Sequence, residues 1–158
     1  MTEPGPISWY VARKFRADLA GNSAEEEAQI HQVIGVVMDI RAEIFKAIFN
    51  PDHKGALTTA AASGKLPDKI AQLSKGLGDG HFFVGGHVTL ADVYVAYFIH
   101  FINILYSSAE VESPFSHHAN IVAFETHFWA LPELQAHVAS DAWKRPVMPP
   151  TMLPWVKF

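Results

Sequence analysis

The chain has 158 residues, of which 49% are hydrophobic and 18% charged, with a formal net charge of -4. That length makes one domain with a core of its own, and that composition excludes a disordered chain. The acidic balance argues against nucleic acid as a partner, and the absence of cysteine excludes disulfides, zinc–thiolate sites and thiol nucleophiles.

No uninterrupted apolar segment reaches the ~20 residues a membrane span needs. The N-terminus lacks the basic, apolar and small-residue pattern of a secretory signal, so an intracellular, cytoplasmic protein is expected.

Taken in chain order, residues 1–6 read as an extension and residues 6–16 as a short helix carrying Trp9, Tyr10 and Phe15. Ser23 is the N-cap of a long helix running to about Phe49, with Glu25 to Glu27 in its first turn and Lys46 near its end. Both charge groups suit the helix dipole. Ile30, Val33, Ile34, Val37, Ile40, Ile44 and Ile48 recur at three- and four-residue steps and make one apolar face.

Asn50-Pro51-Asp52 ends that helix, and residues 53–65 read as a polar, Ala/Thr/Gly-rich loop. Pro67 opens another helix through Ile70, Leu73 and Leu77, which Gly78-Asp79-Gly80 stops. A helix over 90–106 follows, apolar nearly all round and so expected in the middle of the domain, with His100 and Asn103 interrupting it. A loop containing Pro114 leads to a helix over about 117–130, and Pro132 opens a short helix to about Ala139.

The tail from Pro146 holds four of the ten prolines and should be extended. Its residues Met148, Met152, Leu153, Trp155 and Phe158 are too apolar for a solvated terminus and should pack on this domain or on a partner.

The start of the central helix carries the sharpest local signal. Thr89 is a good N-cap, and Asp92, three residues on, can reach back to the Thr89 backbone N–H, forming a capping box. Asp92 would then be a buried carboxylate with a structural role. Nine histidines raise the question of a metal. There is no HExxH and no His pair at i and i+4, so no metal site is expected. The aromatic residues fall at helical spacing without interleaved Arg or Lys, which reads as core and not as a base-stacking surface. Between Lys75 and Lys144 there is no Lys or Arg, only acids, which reads as an acidic solvated face.

The string Phe82-Phe83-Val84-Gly85-Gly86-His87-Val88-Thr89-Leu90-Ala91-Asp92-Val93 resembles the capping box and central helix of the C-terminal domain of glutathione transferases. Other segments agree in order and spacing. Ile7 to Phe15 looks like the last helix of that family's N-terminal half. Leu19-Ala20-Gly21-Asn22 with Glu25 to Gln29 looks like the linker and the start of the long helix. Leu131-Pro132-Glu133-Leu134 with Lys144-Arg145-Pro146 resembles the closing helix and tail.

The resemblance covers residues 7–147 and is closest to the sigma class. It implies an all-α fold, a helical bundle of the glutathione-transferase C-terminal type. The division is then an extension at 1–6, the helical domain at 7–146 and a Pro-rich apolar tail at 147–158.

A complete member of the family begins with a thioredoxin-like half that binds glutathione and supplies the hydroxyl stabilising its thiolate. That half is not in this sequence, so no catalytic residue carries over and no cofactor is expected, glutathione entering only if the other half is supplied. In the sigma class a carboxylate on the long helix reaches the glutathione held by the other subunit, and Asp39 matches that position. Its two usual acidic companions are Gly35 and Met38 here.

The family's apolar acceptor pocket would draw on Phe45, Ile44 and Ile48 and on the tail residues Met152, Leu153 and Trp155. Trp9 and Tyr10 lie on a helix that the family covers with its other half. The leading expectation is therefore a non-catalytic protein-interaction or assembly subunit, with a protein partner or a homodimer. The alternative is a glutathione-transferase-related enzyme, or a carrier of an apolar small molecule, that works with a separate thioredoxin-like half.

Overall fold

Two helices decide the architecture: a long one with a single apolar face and a central one apolar nearly all round. A computed structural model describes residues 3–143 and 151–156. Among these, the helices are α1 (Pro4–Phe15), α2 (Ala24–Ile48), α3 (His53–Ala62), α4 (Lys65–Leu77), α5 (Leu90–Ser108), α6 (Ala119–Trp129) and α7 (Gln135–Val138). The described residues include no strand, and the protein is all-α as expected.

Helix α2 packs on α3, α4 and α5, while α5 also touches α1 and α6. Ile40, Ile44 and Ile48 of α2 meet Ile99, Ile102 and Leu105 of α5 in the main core, which Ile70 and Leu73 of α4 and Phe124 and Phe128 of α6 complete. Each such fully buried side chain contributes roughly 1.5–3 kcal/mol by area. Helix α5 is long and apolar enough to cross a bilayer, but 56% of its most apolar stretch is buried inside the domain.

The N-terminus of α2 forms as its sequence demands, with Ser23 Oγ accepting from the Glu26 N–H at 3.2 Å. The segment expected as a loop at 53–65 is instead largely helix α3. The Asp52 carboxylate caps it by accepting from the Gly55 N–H at 3.0 Å. Ala56, Ala60, Ala61 and Ala62 are the strongest helix formers available, and Leu57 is wholly buried. The Tyr106 hydroxyl donates to the Leu57 carbonyl at 3.2 Å, pinning α3 to the central helix, and burial pushes that phenol's pKa up. Small side chains that read as loop are here what lets α3 lie against α2 and α4.

Helix α4 begins at Lys65, with Pro67 inside its first turn. Helix α5 ends in a Schellman turn, in which Val111 N–H donates to Tyr106 C=O at 2.9 Å and Glu110 N–H to Ser107 C=O at 3.0 Å. The left-handed position of that turn falls on Glu110, with φ 56°, where glycine is usual. Helix α6 begins at Ala119 and not at His117. Asn120 ties its start to the end of α4, donating to the carbonyls of Ser74 at 2.8 Å and Gly78 at 3.0 Å.

Pro132 opens a 3-10 turn (Pro132–Leu134) that continues into α7. The tail returns to the domain: Leu153 is buried in the main core, and Trp155 stacks on His53 of α3 at 4.1 Å between ring centroids. Lys144, Arg145, Pro146, Met148 and Phe158 lie outside the described residues.

Candidate functional site

Helix α1 has two unlike faces. Its inner face puts Ala12 into a second, smaller core with Ala20, Ile30, Val84, Leu90 and Ala91. Trp9 stacks on His31 of α2 at 4.3 Å, and the Arg13 guanidinium pairs with Glu27 of the same helix. The Ser8 and Tyr94 hydroxyls share a 2.9 Å hydrogen bond that joins α1 to α5. The outer face carries Ile7, Tyr10, Val11 and Phe15, each at least 40% exposed and Phe15 68%. Their spacing places them on one stripe of the helix. Trp9 is thus drawn inward as an anchor, while Tyr10 stands outward with the Lys14 ammonium donating to its hydroxyl at 3.2 Å.

The turn after α1 is held by the Arg16–Asp18 pair, at 2.8 and 3.0 Å. This pair keeps the Asp18 carboxyl below its ordinary pKa. His87 ties the loop before α5 to this turn. Its Nδ1 lies 3.0 Å from Gly85 C=O and its Nε2 3.3 Å from Asp18 C=O, and these contacts push the imidazole pKa up. Gly85 and Gly86 have positive φ, and a Cβ on Gly85 would fall 2.6 Å from the Glu26 carboxylate and 2.7 Å from the His87 ring. Gly85 is thus favoured by both space and backbone conformation, and Gly86, whose Cβ would meet open space, by its positive φ alone.

Thr89 and Asp92 lie at the base of the same corner, both wholly buried. Asp92 Oδ2 accepts from Thr89 N–H at 2.8 Å and from Thr89 Oγ1–H at 2.9 Å. Its other oxygen accepts from Phe83 N–H at 2.8 Å, a bond the local pattern does not announce. Burial pushes this carboxyl's pKa up, and the three donors pull it back. All three partners donate, so the site is built for a carboxylate and offers nothing for proton transfer.

Asp39 forms an ion pair with Lys69 of α4 at 2.7 Å, and Lys69 holds its carboxyl below the ordinary carboxylate pKa. Arg41 does not reach it and instead lies over the Phe45 ring at 4.5 Å. Phe45 and Trp155 pack against the main core, Ile44, Ile48 and Leu153 are part of it, and Met152 is exposed. Among the described residues no three His, Asp or Glu side chains gather in a group able to hold a metal ion.

Local signals also missed a polar cluster on the far side of α5, where Asn103 of α5 donates to Glu125 of α6 at 3.0 Å.

A family model for the C-terminal domain of glutathione S-transferases matches residues 38–141. Glutathione S-transferase Mu 3 of Homo sapiens is 26% identical over 141 residues, covering 89% of this chain and 59% of that protein. The class-mu 28 kDa glutathione S-transferase of Schistosoma japonicum is 31% identical over 96 residues, covering 59% of this chain and 46% of the relative.

Among solved structures, rat hPGDS complexed with a quinoline superposes with a TM-score of 0.73 at 22% identity, covering 94% of this chain and 69% of that one. The glutathione S-transferase of Ascaris lumbricoides superposes with the same TM-score at 24% identity, covering 94% of this chain and 70% of that one. This chain thus spans about three fifths of the length of its Mu 3 relatives. With a helical bundle, a capped central helix and a family model matched over most of its length, the chain belongs to the glutathione S-transferase C-terminal domain family.

Proposed function

We propose that these residues are the helical half of a glutathione transferase, working with a thioredoxin-like half that seats on the outer face of α1. The observation that carries the reading is the stripe Ile7, Tyr10, Val11 and Phe15, exposed on a helix whose other face is firmly anchored. A stripe of this kind is costly to leave in water, and α1 is the segment that resembles the last helix of the thioredoxin-like half.

In this reading the other half binds glutathione and ionises its thiol, and the present chain supplies an apolar wall for the electrophile from Phe45 and the tail. Asp39 is the residue of this chain offered to the glutathione of a second subunit in a homodimer. Asp39 is the exposed side of its pair with Lys69, which is part-buried, and a pair open to solvent contributes little, so exchanging Lys69 for a ligand amine costs little.

The names of the relatives, all transferases, favour this reading over the non-catalytic assembly subunit that the sequence put first. The two sequence relatives described above are named as mu class, while the motifs lean toward the sigma class, so the proposal rests on the chemistry common to both: attack of a glutathione thiolate on an apolar electrophile. It keeps the cytoplasmic setting expected from the sequence.

The test joins residues 4–158 to the thioredoxin-like half of the human Mu 3 relative, matched at α1. The 158 residues alone should neither conjugate glutathione to an aromatic electrophile nor be retained on immobilised glutathione. The chimera should do both. A folded chimera that binds glutathione yet conjugates no electrophile in a broad panel would return the function to assembly.

A further inference from the structure

We propose that the groove between α5, α6 and the loop joining them is a binding site for a small organic cation with an apolar body, such as an arylalkylamine, with Glu125 as its counter-ion. The groove is open, of about 530 Å³, within the range of small-ligand sites. It lies on the opposite flank of α5 from α1 and is independent of the transferase reading.

The groove has two kinds of wall. Ile99, Val111, Phe115 and Val122 supply apolar surface for a ring or short alkyl chain. Glu125, Asn103 and Ser113 supply a polar end whose hydrogen bonds run in one direction. Ser113 Oγ donates to Asn103 Oδ1 at 2.6 Å, which fixes the amide so that Nδ2 donates to Glu125 Oε2 at 3.0 Å. The cluster is donor-fed up to the carboxylate and stops there. Among the described residues Glu125 Oε1 receives no donor, and no Lys or Arg pairs with Glu125.

A half-buried carboxylate with one neutral donor is short of positive charge. The shortage extends around it. Glu112 lies at the rim, accepting from the groove residue Ser116 at 2.8 Å, and among the described residues its ionisable partner is His117, at 3.8 Å. No Lys or Arg occurs between Lys75 and Lys144 in the sequence, and the other rim acid, Glu110, is engaged by Lys54. Burial pushes the Glu125 carboxyl up to about 7, with the Asn103 bond offsetting part of the rise. An ammonium beside Oε1 would restore the charge and give that oxygen its missing donor, while the apolar body covered Val111 and Val122. An anionic ligand would meet Glu125 and Glu112 with no Lys or Arg among the described residues paired to either, and a neutral one would leave the carboxylate unmatched.

The test uses the full chain at pH 8 with phenethylamine as probe, by calorimetry and by NMR of the Asn103 side-chain amide. We expect saturable binding with Kd at or below ~1 mM, movement of the Asn103 amide, and weaker binding of 2-phenylethanol. Glu125→Gln should weaken the amine about tenfold or more, the scale of one charge-assisted hydrogen bond. Val122→Arg, at an exposed position three residues before Glu125, places a guanidinium on the same helix face and should abolish amine binding in a folded protein. The proposal is overturned if the amine does not saturate, if Glu125→Gln binds it as the wild type does, or if 3-phenylpropionate binds as tightly.

Discussion

Replacing Asp92 by alanine tests whether the carboxylate beneath the central helix is an architectural part. In the native protein it satisfies three donors, Phe83 N–H, Thr89 N–H and Thr89 Oγ1–H, all between 2.8 and 2.9 Å, with no solvent reaching the side chain. Truncation leaves two backbone N–H groups without an acceptor, at about 1–3 kcal/mol each, while the Thr89 hydroxyl can turn elsewhere. Against this stands relief from burying a charge, which is the largest influence on the Asp92 pKa. The net loss is therefore about 2–4 kcal/mol, a large share of the ~5–15 kcal/mol that holds a domain folded.

Urea unfolding followed by far-UV circular dichroism should show the unfolding free energy fall by that amount, read as a lower midpoint with an unchanged slope. Hydrogen exchange should lose protection at the Phe83 and Thr89 amides first, because the bonds removed are local to that corner. Thr89→Ala should cost about 1 kcal/mol by the same route. A wild-type midpoint for Asp92→Ala, or undiminished protection at Phe83, would refute the assignment.

Two further substitutions probe the tail and the groove. Leu153→Ala removes the one tail side chain among the described residues that is buried in the main core and should cost about 2–4 kcal/mol. It should also shift the Trp155 fluorescence as the stack on His53 loosens, and an unaltered spectrum would place the tail's hold elsewhere. Glu125 has a folded pKa of about 7 against an ordinary 4.5, so the folded state binds its proton more tightly. The associated stability is present below about 4.5 and is lost as pH rises toward 7. Glu125→Gln should therefore melt like the wild type near pH 4.5 and be more stable at pH 8, by about 1–2 kcal/mol after discounting for solvent. Equal melting temperatures at both pH values would show the carboxyl to be ordinary.

What the sequence made legible is what neighbouring residues decide among themselves. Ser23 with its three following acids, the Thr89–Asp92 box and the apolar repeat of α2 are set by residues close together in the chain. Their geometry could be stated before any tertiary contact was known. Helix α3 shows where this fails. Its alanines, threonines and glycine carry no strong periodicity, and what holds them helical is the Asp52 cap together with two long-range events, the burial of Leu57 and the bond from Tyr106. Helical propensity was present, but the deciding energy came from residues far along the chain.

The same division governs the sites. Trp9 and Tyr10 are adjacent in sequence and differ in fate because successive helical positions point about 100° apart: one stacks on His31, the other faces outward. Asp39 was legible as a carboxylate on a helix face, but its partner sits on α4, brought alongside only by the packing of α2 against that helix. Asn103 read as no more than an interruption in an apolar run. In the folded chain it is the link between Ser113 and Glu125. A polar residue inside an apolar helix is costly unless it is bonded, so such an interruption is a sequence-level pointer to a partner elsewhere. That rule would have flagged Asn103 before the structure, though it could not have named Glu125.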